Sequence, residues 1–232
     1  METKKKIENR ELLLMVLYLA VFVFLSTDYG RNKLLEIAGR EFWIKYLDVL
    51  LYSSFAIAWI ILSRNKLIRS LKDFVNNRKI YLKRCEWIGG ITLAAMVAAA
   101  IILSRFSIGD SPNQQAVDRT MESNMSMYIP VVCIIGPFVE EMVFHATLYE
   151  QIRKKQKSKR GILITILGVA FFFALYHYGF INIFKPDYYV HFIEYLPVFV
   201  TGIGLTLLYE KTRNIFAPIL VHQCINMIAA FE

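Results

Sequence analysis

The stretch GPFVEEMVFHATLYE, residues 136 to 150, sets Glu140 and Glu141 side by side in a run otherwise rich in Val, Met, Phe and Leu. On a helix, adjacent residues point about 100° apart, whereas Glu141 and His145, four apart, share a face. One carboxylate can then reach an inward cavity while the other is held by His145. Gly136 and Pro137 come just before the pair. A proline inside a helix frees a carbonyl one turn earlier, so a kink is expected beside the carboxylates. FFFALYHYG adds His177 with Phe173 one turn before it, and APILVHQCINMIA adds His222 and Asn226, again four apart on one face. Taken singly, a histidine in an apolar helix is more often a hydrogen-bonded packing residue than a catalyst. Together, two Glu, several His and an Asn in apolar surroundings either satisfy one another or do chemistry.

The chemistry that fits is activation of water. A carboxylate can act as general base, an imidazole can orient the water or supply a proton, and a His with an Asn amide can donate to the oxyanion of an attacked carbonyl. No G-x-S-x-G is present and no Ser lies near these motifs, which disfavours a serine nucleophile. Cys224 is two residues from His222 and therefore on another helix face. A second reading stays open, in which Glu140, His177 and His222 hold a divalent metal such as zinc and leave a position for water. The HExxH signature is absent, and a metal-free site ranks ahead; no cofactor is otherwise expected.

These residues must be positioned by apolar elements. Of the 232 residues, 56% are hydrophobic and 14% aromatic, more than one water-soluble core of this size needs. Seven apolar stretches, about 12 to 27, 42 to 63, 87 to 104, 127 to 149, 161 to 182, 191 to 209 and 214 to 231, approach the roughly 20 residues that a helix needs to cross a bilayer. The expected fold is an all-α polytopic membrane bundle of about seven helices, one domain over residues 1 to 232. Its polar site is placed among the fourth, fifth and seventh helices. Lys45 and Asp48 are read as a pair or as lying near the interface, and His191 and Glu194 as interfacial. The basic start METKKKIENR resembles a signal peptide, but no small-x-small cleavage site follows, so the first stretch is read as a retained helix.

The net charge of +8 is explained by topology. Of 27 Lys and Arg, 20 lie in the alternate segments 1 to 10, 64 to 86, 150 to 160 and 210 to 213, and six lie in the opposite loops. That asymmetry puts the amino terminus in the cytoplasm and the carboxyl terminus outside, in what reads as a bacterial plasma membrane, with no need of nucleic acid. The basic segments would face anionic lipid, and Leu67, Leu71, Phe74 and Val75 on one face allow a surface-lying amphipathic helix there, with a solvated loop as the alternative. Three cysteines make no disulfide framework.

The motifs EEMVFH, FALYH and HQCIN, in that order from Glu140 to Asn226, resemble the CPBP family of intramembrane endopeptidases, which takes its name from CAAX proteases and bacteriocin-processing enzymes and is also called Abi. The family pattern is EExxxR, then FxxxH, then HxxxN, so residues 127 to 231 would carry the catalytic core. The resemblance implies Glu140 as the base that activates water, His177 as a residue that positions it, and His222 with Asn226 as the oxyanion site. Glu141 matches the supporting second Glu. The departure is His145 where the family has Arg, an exchange of a permanent bidentate cation for a shorter group that can be neutral. The implied activity is hydrolysis of a peptide bond in a peptide or membrane-associated precursor. Two alternatives are a non-catalytic, Abi-like protein that binds a membrane partner, as in bacteriocin self-immunity, and a proton-coupled transporter.

Overall fold

The computed structural model describes residues 2–25, 27–105, 129–179 and 195–230. Among these residues the chain is all helix, with no strand. The elements are α1 (Glu2–Leu25), α2 (Asp28–Ala38), α3 (Arg40–Leu62), α4 (Arg64–Asn76), α5 (Arg78–Ser104), α6 (Val131–Arg153), α7 (Lys159–Tyr178), α8 (Leu196–Thr212) and α9 (Phe216–Ala230). Each of the seven apolar stretches coincides with a helix, and α2 and α4 lie outside them.

Local chemistry sets the boundaries. Ser158 precedes α7 and its hydroxyl accepts from the Gly161 amide at 3.0 Å, which satisfies one of the orphan donors of the first turn. At the other end Gly179 takes φ 83°, a left-handed conformation that glycine adopts without steric cost. Helix α8 starts on Leu196-Pro197, where the missing proline N–H costs nothing. It ends at Arg213 with φ 53°. The Arg213 guanidinium holds that turn by reaching Glu150 at 2.8 Å and Glu210 at 3.1 Å.

By length and composition α5, α6 and α7 can cross a membrane, and α3 with α4 makes a fourth if this pair, bent by 84°, is one span. The sequence led to an expectation of about seven crossings. Helix α9 is apolar but has 15 residues and α8 has 17, short of the roughly 20 that an upright crossing needs. The amphipathic segment expected in the basic region is α4. Its Leu67 is buried and Phe74 packs on α5 and α9, while Leu71 and Val75 stay exposed.

Helix α6 is the axis of the bundle. Of its most apolar window 72% is buried inside the protein, against 44% for α7 and 22% for α5, so α6 is wrapped by protein while α5 presents most of its surface outward. Met142, Val143, Phe144 and Tyr149 of α6 are fully buried and pack with Tyr18 of α1, Trp59 of α3 and Phe173 of α7. Helix α8 fits between α5 and α7 because it is notched. A Cβ on Gly202 would lie 3.1 Å from the Ala170 Cα, and one on Gly204 would lie 1.9 Å from the Thr92 hydroxyl oxygen. Small residues at such crossings allow the close backbone approach that packs helices where water drives nothing.

Candidate active site

The expected kink in α6 takes the form of two widened stretches. Val131–Ile135 and Met142–Tyr149 are π-helical, and they flank the α-helical Gly136–Glu141 that carries Pro137 and both carboxylates. Stretches with i→i+5 bonding are rare and concentrate at functional sites. Side chains from other helices serve their carbonyls. Asn226 Nδ2 donates to Val132 O at 2.9 Å, Gln223 Nε2 to Ile134 O at 3.1 Å, and Lys66 Nζ to Ala146 O at 2.9 Å.

Glu140 and Glu141 diverge from this helix as adjacent positions must. Glu140 faces α3 and α7 and is 7% exposed. Its Oε2 lies 3.7 Å from Nε2 of His177 and 3.8 Å from Nε2 of His222, and its Oε1 accepts from the Tyr52 hydroxyl at 3.4 Å. Glu141 is fully buried. Its Oε1 meets Nδ1 of His222 at 2.9 Å, and its Oε2 stands 2.6 Å from Nδ1 of His145. The second contact has ion-pair distance but not the alignment of a directed hydrogen bond. Phe173 lies between the two imidazoles that face Glu140, with ring centroids 4.4 Å from His177 and 5.7 Å from His222.

Hydrogen-bond inventory fixes where the protons sit. A carbonyl only accepts, so Nδ1 of His177, 2.9 Å from Phe173 O, carries a proton, and in the neutral ring Nε2 presents a lone pair to Glu140. His222 gives its Nδ1 proton to the Glu141 carboxylate, leaving Nε2 in the same condition. Three acceptors then surround one space, and a water there can donate to two of them. His145 differs. The single proton of the Thr206 hydroxyl goes to Gly202 O at 2.6 Å, so at 2.8 Å His145 Nε2 must be the donor to Thr206 Oγ1. A neutral ring would then set a bare Nδ1 lone pair 2.6 Å from a carboxylate oxygen. A proton on Nδ1 would turn this contact into an ion pair.

The structure thus brings Glu140, Glu141, His145, His177, His222 and Phe173 into one cluster on α6, α7 and α9. Asn226 lies one turn beyond His222, but its amide is turned to the Val132 carbonyl. Cys224 is exposed, and Cys85 and Cys133 are buried. His191, Glu194 and the Lys45 side chain lie outside the described residues, and Asp48 is half-buried. Among the described residues no group of three or more His, Cys, Asp or Glu is arranged to hold a metal ion, and no step is drawn through a metal. Sequence reasoning missed Tyr52, Tyr176 and Thr206, hydroxyls in apolar runs that are 88, 36 and 61 residues from the groups they serve or approach; only their polarity inside a span marked them.

Residues 122–228 match the family model described as type II CAAX prenyl endopeptidase, Rce1-like. No curated protein and no solved structure matches the chain. The matched region holds all three motifs and both carboxylates, and with the apolar helices it points to an integral membrane protein similar there to CAAX endopeptidases. Over these residues the chain is similar to the CAAX endopeptidase family, in line with the resemblance that its three motifs carry.

Proposed function

We propose that the chain is an intramembrane endopeptidase that hydrolyses a peptide bond in a peptide or membrane-associated precursor with water activated by Glu140. The observation that carries this reading is the convergence of Glu140 Oε2 with the Nε2 atoms of His177 and His222, at 3.7 and 3.8 Å. A water there donates one proton to Oε2 and is oriented by an imidazole nitrogen, which leaves its lone pair for the carbonyl carbon. The new C–O bond forms as the proton passes to Glu140, and the carbonyl oxygen becomes an oxyanion. His222, backed by the Glu141 carboxylate, can hold a second proton and donate from Nε2 to that oxyanion. Asn226 joins it by turning its amide from Val132 O. Collapse of the intermediate breaks the C–N bond, and the leaving amine takes the proton from Glu140.

The single domain, the cytoplasmic amino terminus and the contact of basic segments with anionic lipid belong to the same proposal. Prenylated CAAX peptides are one substrate class, supported by the family match; bacteriocin or pheromone precursors are others. The non-catalytic binding reading draws on two observations, His145 in place of Arg and the Asn226 amide engaged on Val132.

The test is cleavage of a pool of precursor peptides, farnesylated CAAX peptides included, by the detergent-purified protein beside a folded Glu140→Gln variant. Cleavage by the parent, reduced about 10²- to 10⁴-fold or more in the variant and unchanged by a chelator, is the expected result. Equal behaviour of the two folded proteins sinks the assignment of Glu140 and leaves the binding partner as the better account.

A further inference from the structure

The oxygen of Glu140 that does not face the histidines is held by an arrangement that includes two tyrosines outside the three motifs. Tyr52 of α3 donates to Oε1 at 3.4 Å, Tyr52 and Tyr176 hydroxyls meet at 3.0 Å, and Tyr176 and Tyr18 hydroxyls meet at 2.6 Å. Tyr18 is fully buried, and its ring packs edge-on against Tyr52 and tilted on Tyr176. Three hydroxyls from α1, α7 and α3 therefore form one chain that ends on the carboxylate.

The direction of the chain follows from proton count. Each phenol has one proton, and an ionised carboxylate only accepts. Tyr52 must spend its proton on Glu140, so it accepts from Tyr176, and Tyr176 in turn accepts from Tyr18. Every donor in the row points toward Oε1, and hydrogen bonds aligned this way polarise one another. The 3.4 Å link is the loosest, which is ordinary for a catalytic contact without substrate.

We infer that Tyr52 is a positioning residue for Glu140: as last donor of the Tyr18–Tyr176–Tyr52 chain it fixes Oε1, and so leaves Oε2 as the oxygen that takes the proton from water. This rests on the peptidase reading given above and deepens it. It also assigns a task to α1 and α3, which lie outside residues 122–228 and carry none of the three motifs. The first half of the chain thus helps to set the geometry of the reacting group.

The experiment compares the full-length parent, Tyr52→Phe, Tyr176→Phe and Glu140→Gln in detergent, reading peptide cleavage and, separately, the infrared carboxylate band that disappears in Glu140→Gln. Loss of one donor to a carboxylate is expected to lower kcat about 10- to 100-fold with KM within about twofold, and to shift the Glu140 band in Tyr52→Phe. Tyr176→Phe, which cuts the chain one link earlier, should move both readouts less and in the same direction; it also serves if Tyr52→Phe does not fold. A hydroxyl that only packs would change stability and leave kcat and the band alone, and that result overturns the inference. If the parent cleaves no peptide, the peptidase reading fails by itself and the band decides the positioning: a shifted band supports it and an unmoved band overturns it.

Discussion

At the scale of single residues, the group that most needs explaining is Glu141, fully buried between two histidines. Removing one member of a buried charge pair leaves the other uncompensated, at a cost of about 3 to 5 kcal/mol. Glu141→Gln should therefore lower stability by roughly that amount in a denaturant titration in detergent, far more than an exposed Glu→Gln exchange on α5 such as Glu86→Gln. Thr206 is the quieter partner. Its exchange for Val keeps the shape but strands the Nε2 proton of His145, so a loss of about 1 to 3 kcal/mol is expected, with cleavage falling alongside. The Glu141–His145 contact was legible from a spacing of four in the sequence. The Thr206 and Tyr52 contacts were not, because a hydroxyl in an apolar run carries no local sign of a partner 61 or 88 residues away.

At the scale of elements, α6 departs most from what a 3.6-residue period suggests. Pro137 signalled a break, but proline alone does not specify whether a helix bends or widens, and here it lies between two π-helical stretches. The carbonyls that accept Asn226, Gln223 and Lys66 belong to those stretches, so the amide that the family motif assigns to the oxyanion also secures the helix. The apolar runs gave the positions of the long helices well, since burial in lipid or protein demands the same composition. They gave the α3–α4 corner poorly, because its cause is tertiary: the Ser63 hydroxyl binds Glu11 at 2.6 Å. The notch in α8 supplies a second check. Gly204→Ala places a methyl inside Thr92, and the displacement of α8 from α5 should cost about 1 to 3 kcal/mol, read as a lower midpoint in the same titration.

At the scale of the whole molecule, polar networks tie the helices together at the basic end. Arg153 forks onto Glu210 at 3.0 and 3.1 Å, Tyr149 donates to Glu210 at 2.8 Å, and Tyr209 donates to Glu150 at 2.9 Å. Nearby, Asp73 of α4 accepts from Tyr81 of α5 and from Asn214 before α9. The Tyr81 hydrogen bond, and after it that of Asn214, hold the Asp73 carboxyl below its ordinary value of 3.8. A carboxylate depressed in the folded state stabilises above its unfolded pKa, and that contribution is lost as pH falls through the folded one. Stability should therefore decline below about pH 4, and a midpoint series from pH 6 to pH 3 should decline less in Asp73→Asn.

One of these contacts also bears on how the protein is made. Glu11 is buried on α1, and its partners Ser63 and Lys66 lie 52 and 55 residues later, at the α3–α4 corner. When α1 leaves the ribosome its carboxylate lacks both of these partners. Helix α1 can therefore gain these two contacts only after the α3–α4 corner has been synthesised. A nascent chain stopped before Ser63 should leave Glu11 open to water-borne labels, and one that includes the corner should shield it.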